Sequence, residues 1–411
     1  LLRRALCPQS FVCGSEVWDM INLLVKTFVK DCGNVQDPQV RQRYGTLSGA
    51  VGIFLNLLLS AGKMIAGVLT GSIAITADAF NNLTDAGSSV VTLVGFRMAG
   101  KQADNDHPFG HGRIEYLSGL AVSVVILLVG LELAKSSVEK IIHPEPVEFS
   151  WLSAGILSAA ICVKLWMSYF NRSLSRRIGS AAMAATATDS LSDAAATSAV
   201  LLSSLIGRFT GVNIDAWAGI LVAIFILRAG WGAAKDTLNP LLGQSPDPEL
   251  VREIERTVLA HPQVVGIHDM IIHDYGPGRS MMSLHAEVPA GADIMAVHDE
   301  IDAIERELKA KYRIDASIHM DPIVTGDETI SRARQMVAGL VREVDPAMTI
   351  HDFRMTSGPR HRNLIFDVVV PYSVRQSDEA VRREIERKIR AADPNSFAVI
   401  QVDRAYTQEP G

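Results

Sequence analysis

Hydrophobic residues crowd into the first 235 positions, in stretches interrupted by short polar loops, and thin out afterwards. A crossing of a bilayer takes roughly 20 apolar residues. On that criterion spans are expected near 46–69, 73–98, 115–134, 151–170, 182–206 and 213–232, with Gly71-Ser72 as a tight turn between the first two. Ahead of them, Ile21, Leu24, Val25 and Phe28 recur at helical spacing from Met20. That stretch is too short to cross and suits a helix lying on a membrane surface. The sequence begins without Met, and Arg3-Arg4 lead into no apolar core. A signal peptide is therefore a poor reading, and Met20 is itself a candidate start.

From Asp247 the pattern changes to that of a water-soluble protein. A helical stretch (248–260) is followed by alternating positions (264–273), a strand (280–288), a helix (294–312) and a strand (316–320). That αββαβ order predicts a small ferredoxin-like layer of helices on a sheet. The tail then repeats it. Ile267-His268-Asp269-Met270 recurs as Ile350-His351-Asp352-Phe353, and Gly276-Pro277 as Gly358-Pro359. Ala303-Ile304-Glu305-Arg306 pairs with Glu384-Ile385-Glu386-Arg387, and Ile318-His319-Met320-Asp321 with Ile400-Gln401-Val402-Asp403. A constant offset of about 82 residues over several motifs marks a duplicated module. The expected organisation is an N-terminal cytoplasmic or interfacial segment (1–44), a six-helix transmembrane domain (45–240), a ferredoxin-like cytoplasmic domain (244–323) and its repeat (327–408).

Two apolar stretches carry polar interruptions. Asn81 and Asp85 in one, Asp189 and Asp193 in the other, are each four residues apart, hence on one face of a helix. Carboxylates at bilayer depth are costly and point to function by default. A lone Asp or Asn in a membrane helix often just bonds a neighbouring helix, but two pairs facing each other would make a four-oxygen cage for a hard divalent cation. Ala77, Ala79, Ala86, Gly87 and Ala185, Ala187, Ala194, Ala195 would let the two helices approach closely. Three carboxylates and an amide supply neither nitrogen nor sulfur. Such a set suits Mn²⁺, Mg²⁺ or Ca²⁺, can accept Fe²⁺, and departs from the His and Cys ligands usual for Zn²⁺. Carboxylates also bind protons, so cation and proton can compete for one site.

Two further groups carry donor atoms. The loop Asp104–Arg113 holds Asp104, His107 and His111 among turn-forming Gly and Pro. It is a candidate metal site, or a loop that positions helices and meets lipid headgroups. In the first soluble module, His268, His285, His298, His319 and Asp321 form a third candidate, with His319 and Asp321 on one face of a strand. Scattered surface histidines are the lesser alternative. The repeat keeps His351 and Asp403 but has Asp367 for His285 and Gln401 for His319, so it is expected to bind no metal of its own.

Charge and cysteine content narrow the class. A net charge of −6 argues against nucleic acid as a partner. Cys7, Cys13, Cys32 and Cys162 show no CxxC spacing, which argues against a disulfide framework or a cysteine zinc site. Arg41, Arg43, Arg97, Lys101, Arg113, Arg172, Arg176, Arg177, Arg228 and Lys235 fall on one side of the expected spans, against Lys135, Lys140 and Arg208 on the other. The positive-inside rule then places both termini in the cytoplasm.

With these residues in hand, about 40–322 resembles the cation diffusion facilitator family. The stretches that carry the likeness are Ala77–Ser88, His107–Glu115 (HPFGHGRIE), Thr188–Asp193 and His319–Pro322. The resemblance implies a homodimeric transporter in the lipid bilayer, exporting divalent cations by alternating access in exchange for protons; a bacterial inner membrane is the expected location. It implies Asn81, Asp85, Asp189 and Asp193 as the transport site, and the loop and cytoplasmic sets as accessory sites. Zinc-type members have His where this chain has Asp189, so the resemblance is to the manganese-exporting branch. Two readings from other classes are an intramembrane aspartyl protease and a metal sensor that does not transport. A protease needs one catalytic Asp on each of two helices, which an Asn–Asp and an Asp–Asp pair do not match.

Overall fold

The structure, a computed structural model, describes residues 15–35, 37–70, 73–143, 150–210, 212, 214–324, 327–357 and 362–404. The Gly71-Ser72 turn and the Gly358-Pro359 repeat lie outside them. The chain divides into two compact units, residues 1–242 with 275–278 and residues 243–274 with 279–411.

The first unit is helical: α1 (Ser15–Phe28), α2 (Pro38–Thr70), α3 (Ile73–Ala99), α4 (Ile114–Ile142), α5 (Trp151–Ile178), α6 (Ala181–Thr210) and α7 (Asp215–Leu241). Among the described residues, α2, α4, α5, α6 and α7 are long and apolar enough to cross a membrane. The expected sixth apolar span does not meet that measure. α3 has 27 residues, but Asp78, Asn81, Asn82, Thr84 and Asp85 crowd its first half and Arg97 its end. α2 packs on α3, α4 on α7 and α5 on α6. The α2–α3 contact is close because α2 presents glycines. A Cβ on Gly45 would run into the Phe96 ring, and one on Gly49 would lie 2.6 Å from Leu93 Cβ.

The N-terminal helix departs from the surface-lying expectation. Ile21, Val25 and Val29 are buried in one cluster with Tyr44, Phe170, Leu174 and Met183. Its apolar face is therefore spent on the helical unit itself, leaving Leu23 and Phe28 exposed. Arg177 fastens it, donating from Nη2 to Asn22 Oδ1 at 2.7 Å. Beside this cluster, Arg41 donates to Glu115 Oε1 at 2.9 Å and to the carbonyl of Ile178, which ties α2 to α4 and to the end of α5.

The second unit holds the order αββαβ twice. The first module is α8 (Pro248–Leu259), β1 (Gly266–Asp274), β2 (Ser280–Pro289), α9 (Ile294–Tyr312) and β3 (Ile314–Ile323). The second is α10 (Glu328–Arg342), β4 (Thr349–Ser357), β5 (Arg362–Val370), α11 (Asp378–Ala392) and β6 (Ser396–Arg404). All four helices start where a short polar side chain caps them: Asp247, Asp293, Asp327 and Ser377 each accept from a backbone N–H of the first turn. Each sheet has three strands, the first two antiparallel and the second pair parallel. A ferredoxin-like βαββαβ unit has one more strand, ahead of the first helix. Among the described residues no strand stands in that place in either module, so the full ferredoxin-like pattern is not what is observed. Each module has its own core, Ile254, Leu284, Ile304 and Leu308 in one and Val337, Phe366, Ile385 and Ile389 in the other.

The repeat extends to irregularities. β1 has a bulge between His268 and Ile271, β4 one between His351 and Arg354. Asp269 (φ 51°) and Asp352 (φ 50°) adopt the left-handed conformation at the same point of each bulge. Bulges re-aim side chains, and non-glycine residues held in this conformation concentrate at functional sites.

Candidate metal centres

In the helical unit, Asp85 (α3) and Asp193 (α6) converge on one nitrogen. Lys164 Nζ, from α5, donates to Asp85 Oδ2 at 2.7 Å and to Asp193 Oδ2 at 2.6 Å, and the lysine is only 4% exposed. The helices meet here because their neighbouring residues are small: Ala79, Ala86, Ala185, Ala187 and Ala194 are buried. Thr92 and Thr186 hydrogen-bond across α3 and α6 at 2.9 Å, and Ser168 of α5 donates to Ala187 O at 2.7 Å. Asp189 is half-buried one turn before Asp193, in electrostatic reach of Asp85, Asp193 and Lys164. Asn81 is exposed one turn before Asp85, and the buried amide of that pair is Asn82, whose Nδ2 has no hydrogen-bond acceptor. The sequence reading left Lys164 out. Its signal was present, as a charge in an otherwise apolar span, and charges there face the interior and pair.

The loop residues come together. Asp104, His107 and His111 bring ligand atoms within 4.8 Å of one another. Asp104 Oδ1 accepts from the His107 backbone N–H at 2.9 Å, His111 Nε2 lies 3.5 Å from Asp104 Oδ2, and the two rings are 4.5 Å apart. The His107 backbone hydrogen bond, helped by Lys101 and His111, holds the Asp104 carboxyl down at about 2, so it stays ionised. Gly110 supplies the left-handed turn (φ 80°) between the histidines.

In the first soluble module, His268, His285 and Asp321 converge. Strand register does this: His268 pairs with His285 across β1–β2, and His285 with His319 across β2–β3. His285 Nδ1 is 2.8 Å from Asp321 Oδ2, and His268 Nε2 is 3.1 Å from that oxygen, though without hydrogen-bond geometry. His319 sits at the edge, its ring 4.8 Å from His285 and its Nε2 3.4 Å from Asp321 Oδ1. His298 is apart from the group, exposed on α9. Burial works against a charged His268, but the hydrogen bond and charge of Asp269, with Asp321 and Glu287, lift it above its ordinary value.

The second module differs from what its sequence suggested. His351, Asp367 and Asp403 bring ligand atoms within 4.8 Å of one another, so the substitution of His285 by Asp367 changes the donor without removing it. Burial raises the Asp367 carboxyl to about 6, reinforced by Asp403, Asp352 and Asp269 nearby. Burial and the neighbouring His268 hold the His351 imidazole below its ordinary value, hence neutral, the form that ligates metals.

Comparison with known proteins bears on the whole arrangement. The family model described as the cation efflux transmembrane domain matches residues 50–242, and that for the cation efflux protein cytoplasmic domain matches residues 246–323. Neither matched range reaches the second module. An uncharacterized transporter of Methanocaldococcus jannaschii is 30% identical over 267 residues, 65% of this chain and 94% of that protein. The manganese efflux system protein MneS of Bacillus subtilis is 30% identical over 288 residues, 69% of this chain and 99% of its own length. The cation-efflux pump FieF of Salmonella paratyphi A is 29% identical over 291 residues, 69% of this chain and 95% of that protein.

Proposed function

This chain belongs to the cation efflux, or cation diffusion facilitator, family, and from that premise we propose that it exports Mn²⁺ from the cytoplasm in exchange for protons. The family consists of divalent-cation transporters, not enzymes, which removes the protease reading. The chain is an integral membrane protein with a cytoplasmic domain.

The transport site of this reading is Asn81, Asp85, Asp189 and Asp193. The observation that carries it is the meeting of Asp85 and Asp193, from two helices, on one buried ammonium. Carboxylates that close on a cation at that depth can close on another. Donor chemistry favours Mn²⁺, because an all-oxygen set suits a hard ion, and the likeness to the manganese efflux protein MneS supports the same choice. Proton exchange follows from the ligands. A carboxylate must give up its proton to bind metal and can take it back on release.

The reading takes α3 as a sixth span despite its polar residues, with both termini cytoplasmic by the positive-inside rule, in a bacterial inner membrane. It takes the assembly as a homodimer, the domain that matches residues 246–323 being of a dimer-forming type. Asp104, His107 and His111, and His268, His285, His319 and Asp321, are accessory metal sites. The test is flux in proteoliposomes with an imposed pH gradient. Mn²⁺ accumulation exceeding Zn²⁺, and collapsing with the gradient, supports the reading. Absence of any cation flux leaves a sensor in its place.

A further inference from the structure

The tandem modules meet through equivalent residues. His268 and His351 occupy the same position in the two repeats, and their rings stack with centroids 4.0 Å apart and planes 22° apart. Contact between equivalent positions is the signature of a twofold relation, here between two modules of one chain. Other contacts cross the same seam without repeating the symmetry. Asp269 Oδ1 lies 3.6 Å from His351 Nε2, and from the other side the Asp352 N–H points to Glu287 Oε1 at 3.4 Å. Arg334 of α10 also reaches Glu287, at 3.4 Å, and that glutamate is buried.

This seam is lined with donor atoms on both sides. Three convergent groups run into one another: His268 with His285 and Asp321, His268 with Asp269 and His351, and His351 with Asp367 and Asp403. A second observation points to a ligand. His351 is 5% exposed, and neither ring nitrogen makes a hydrogen bond. An imidazole buried that deeply, with neither nitrogen hydrogen-bonded and its nearest carboxylate oxygen 3.6 Å away, costs free energy unless something fills the role. Carboxylates crowd the same place, since Asp403, Asp352 and Asp269 lie close enough to act on Asp367, while Arg354 pairs with Asp352.

We propose that the seam between the tandem modules is a divalent-cation site, in which His351, Asp367 and Asp403 hold one ion beside the His268–His285–Asp321 group. The ion gives a His351 nitrogen the bond it lacks and neutralises the carboxylates. Because His268 and Asp269 of one module stand against His351 of the other, metal there clamps the modules to each other. One imidazole and two carboxylates make a harder set than the two imidazoles and one carboxylate across the seam, so it takes Mn²⁺ more readily relative to Zn²⁺ than its neighbour does. This site stands apart from the transport site and does not rest on it.

The experiment uses the full-length protein in detergent with MnCl₂. Bound Mn²⁺ is counted by the loss of the free-ion electron paramagnetic resonance signal, and amide hydrogen exchange is followed with and without metal. Wild type binds about one Mn²⁺ per chain more than Asp367→Asn/Asp403→Asn. In wild type, Mn²⁺ slows exchange over 349–357 and 362–370, and the double variant loses that protection. Exchange of the metal-free variant at Val337, Phe366 and Ile385 matches wild type if the module is folded. Should it not match, the wild-type exchange data decide alone. Equal stoichiometry in a folded variant, or wild-type exchange over those strands indifferent to Mn²⁺, overturns the proposal.

Discussion

Lys164→Met is the most informative single substitution in the helical unit. Its ammonium is bonded to Asp85 and Asp193 at 2.7 and 2.6 Å and is shielded from water. On the proposed reading a divalent ion that takes both carboxylates displaces it, which would make the lysine a tethered competitor of the substrate. Breaking one partner out of a buried ion pair costs about 3–5 kcal/mol. Part of that cost is recovered as Lys164 finds water or another acceptor when the metal binds. If about 1.5–3 kcal/mol remains, removing the lysine tightens Mn²⁺ binding by about 10- to 150-fold, at 1.4 kcal/mol per tenfold. The same change removes the group that re-occupies the carboxylates as the ion departs. Export therefore slows by about tenfold or more while affinity rises. The assay pairs Mn²⁺ titration in detergent with initial flux in proteoliposomes, and Lys164→Arg, which keeps the charge, serves as the comparison. Affinity and flux both within about twofold of wild type would refute the competition and leave Lys164 a merely structural tie.

Three other outcomes are expected. Asp189→His shifts the ratio of Mn²⁺ to Zn²⁺ flux toward Zn²⁺ at fixed pH, because imidazole is the donor zinc prefers; an unchanged ratio detaches Asp189 from selectivity. Glu115→Ala strands the buried Arg41 guanidinium and destabilises the helical unit by about 3–5 kcal/mol, read as a lowered unfolding midpoint in detergent. Ending the chain after residue 324 leaves Mn²⁺ export measurable, since the transport carboxylates and the first module's core are intact; complete loss of flux in a folded, dimeric truncation shows the second module to be essential.

Much of this fold could be read in the sequence, because its signals are local. The apolar stretches and the duplicated strand motifs each report on a few neighbouring residues. The i,i+4 carboxylates were legible for the same reason. Lys164 was legible only as a charge in an apolar span, since nothing near it in sequence says which helix it faces; its partners are Asp85, 79 residues before it, and Asp193, 29 after it. α1 showed its apolar stripe but not the partner for it, and protein and lipid satisfy such a stripe equally well. The seam was hidden by position-by-position comparison of the repeats. Asp367 in place of His285 looks like loss until His351 and Asp403 are seen around it. The polar half of α3 illustrates a conflict between two local rules, because the residues that make a site also lower the hydropathy that marks a span.

The central claim is that Asp85 and Asp193 together bind the transported ion. Its most direct test is pH-driven Mn²⁺ flux in proteoliposomes bearing wild type, Asp85→Asn or Asp193→Asn, at matched protein content and dimer fraction. Each substitution is close to isosteric and removes one anionic ligand. The account predicts robust flux in wild type and flux at the level of empty vesicles in both variants. Flux near the wild-type rate in either variant contradicts it.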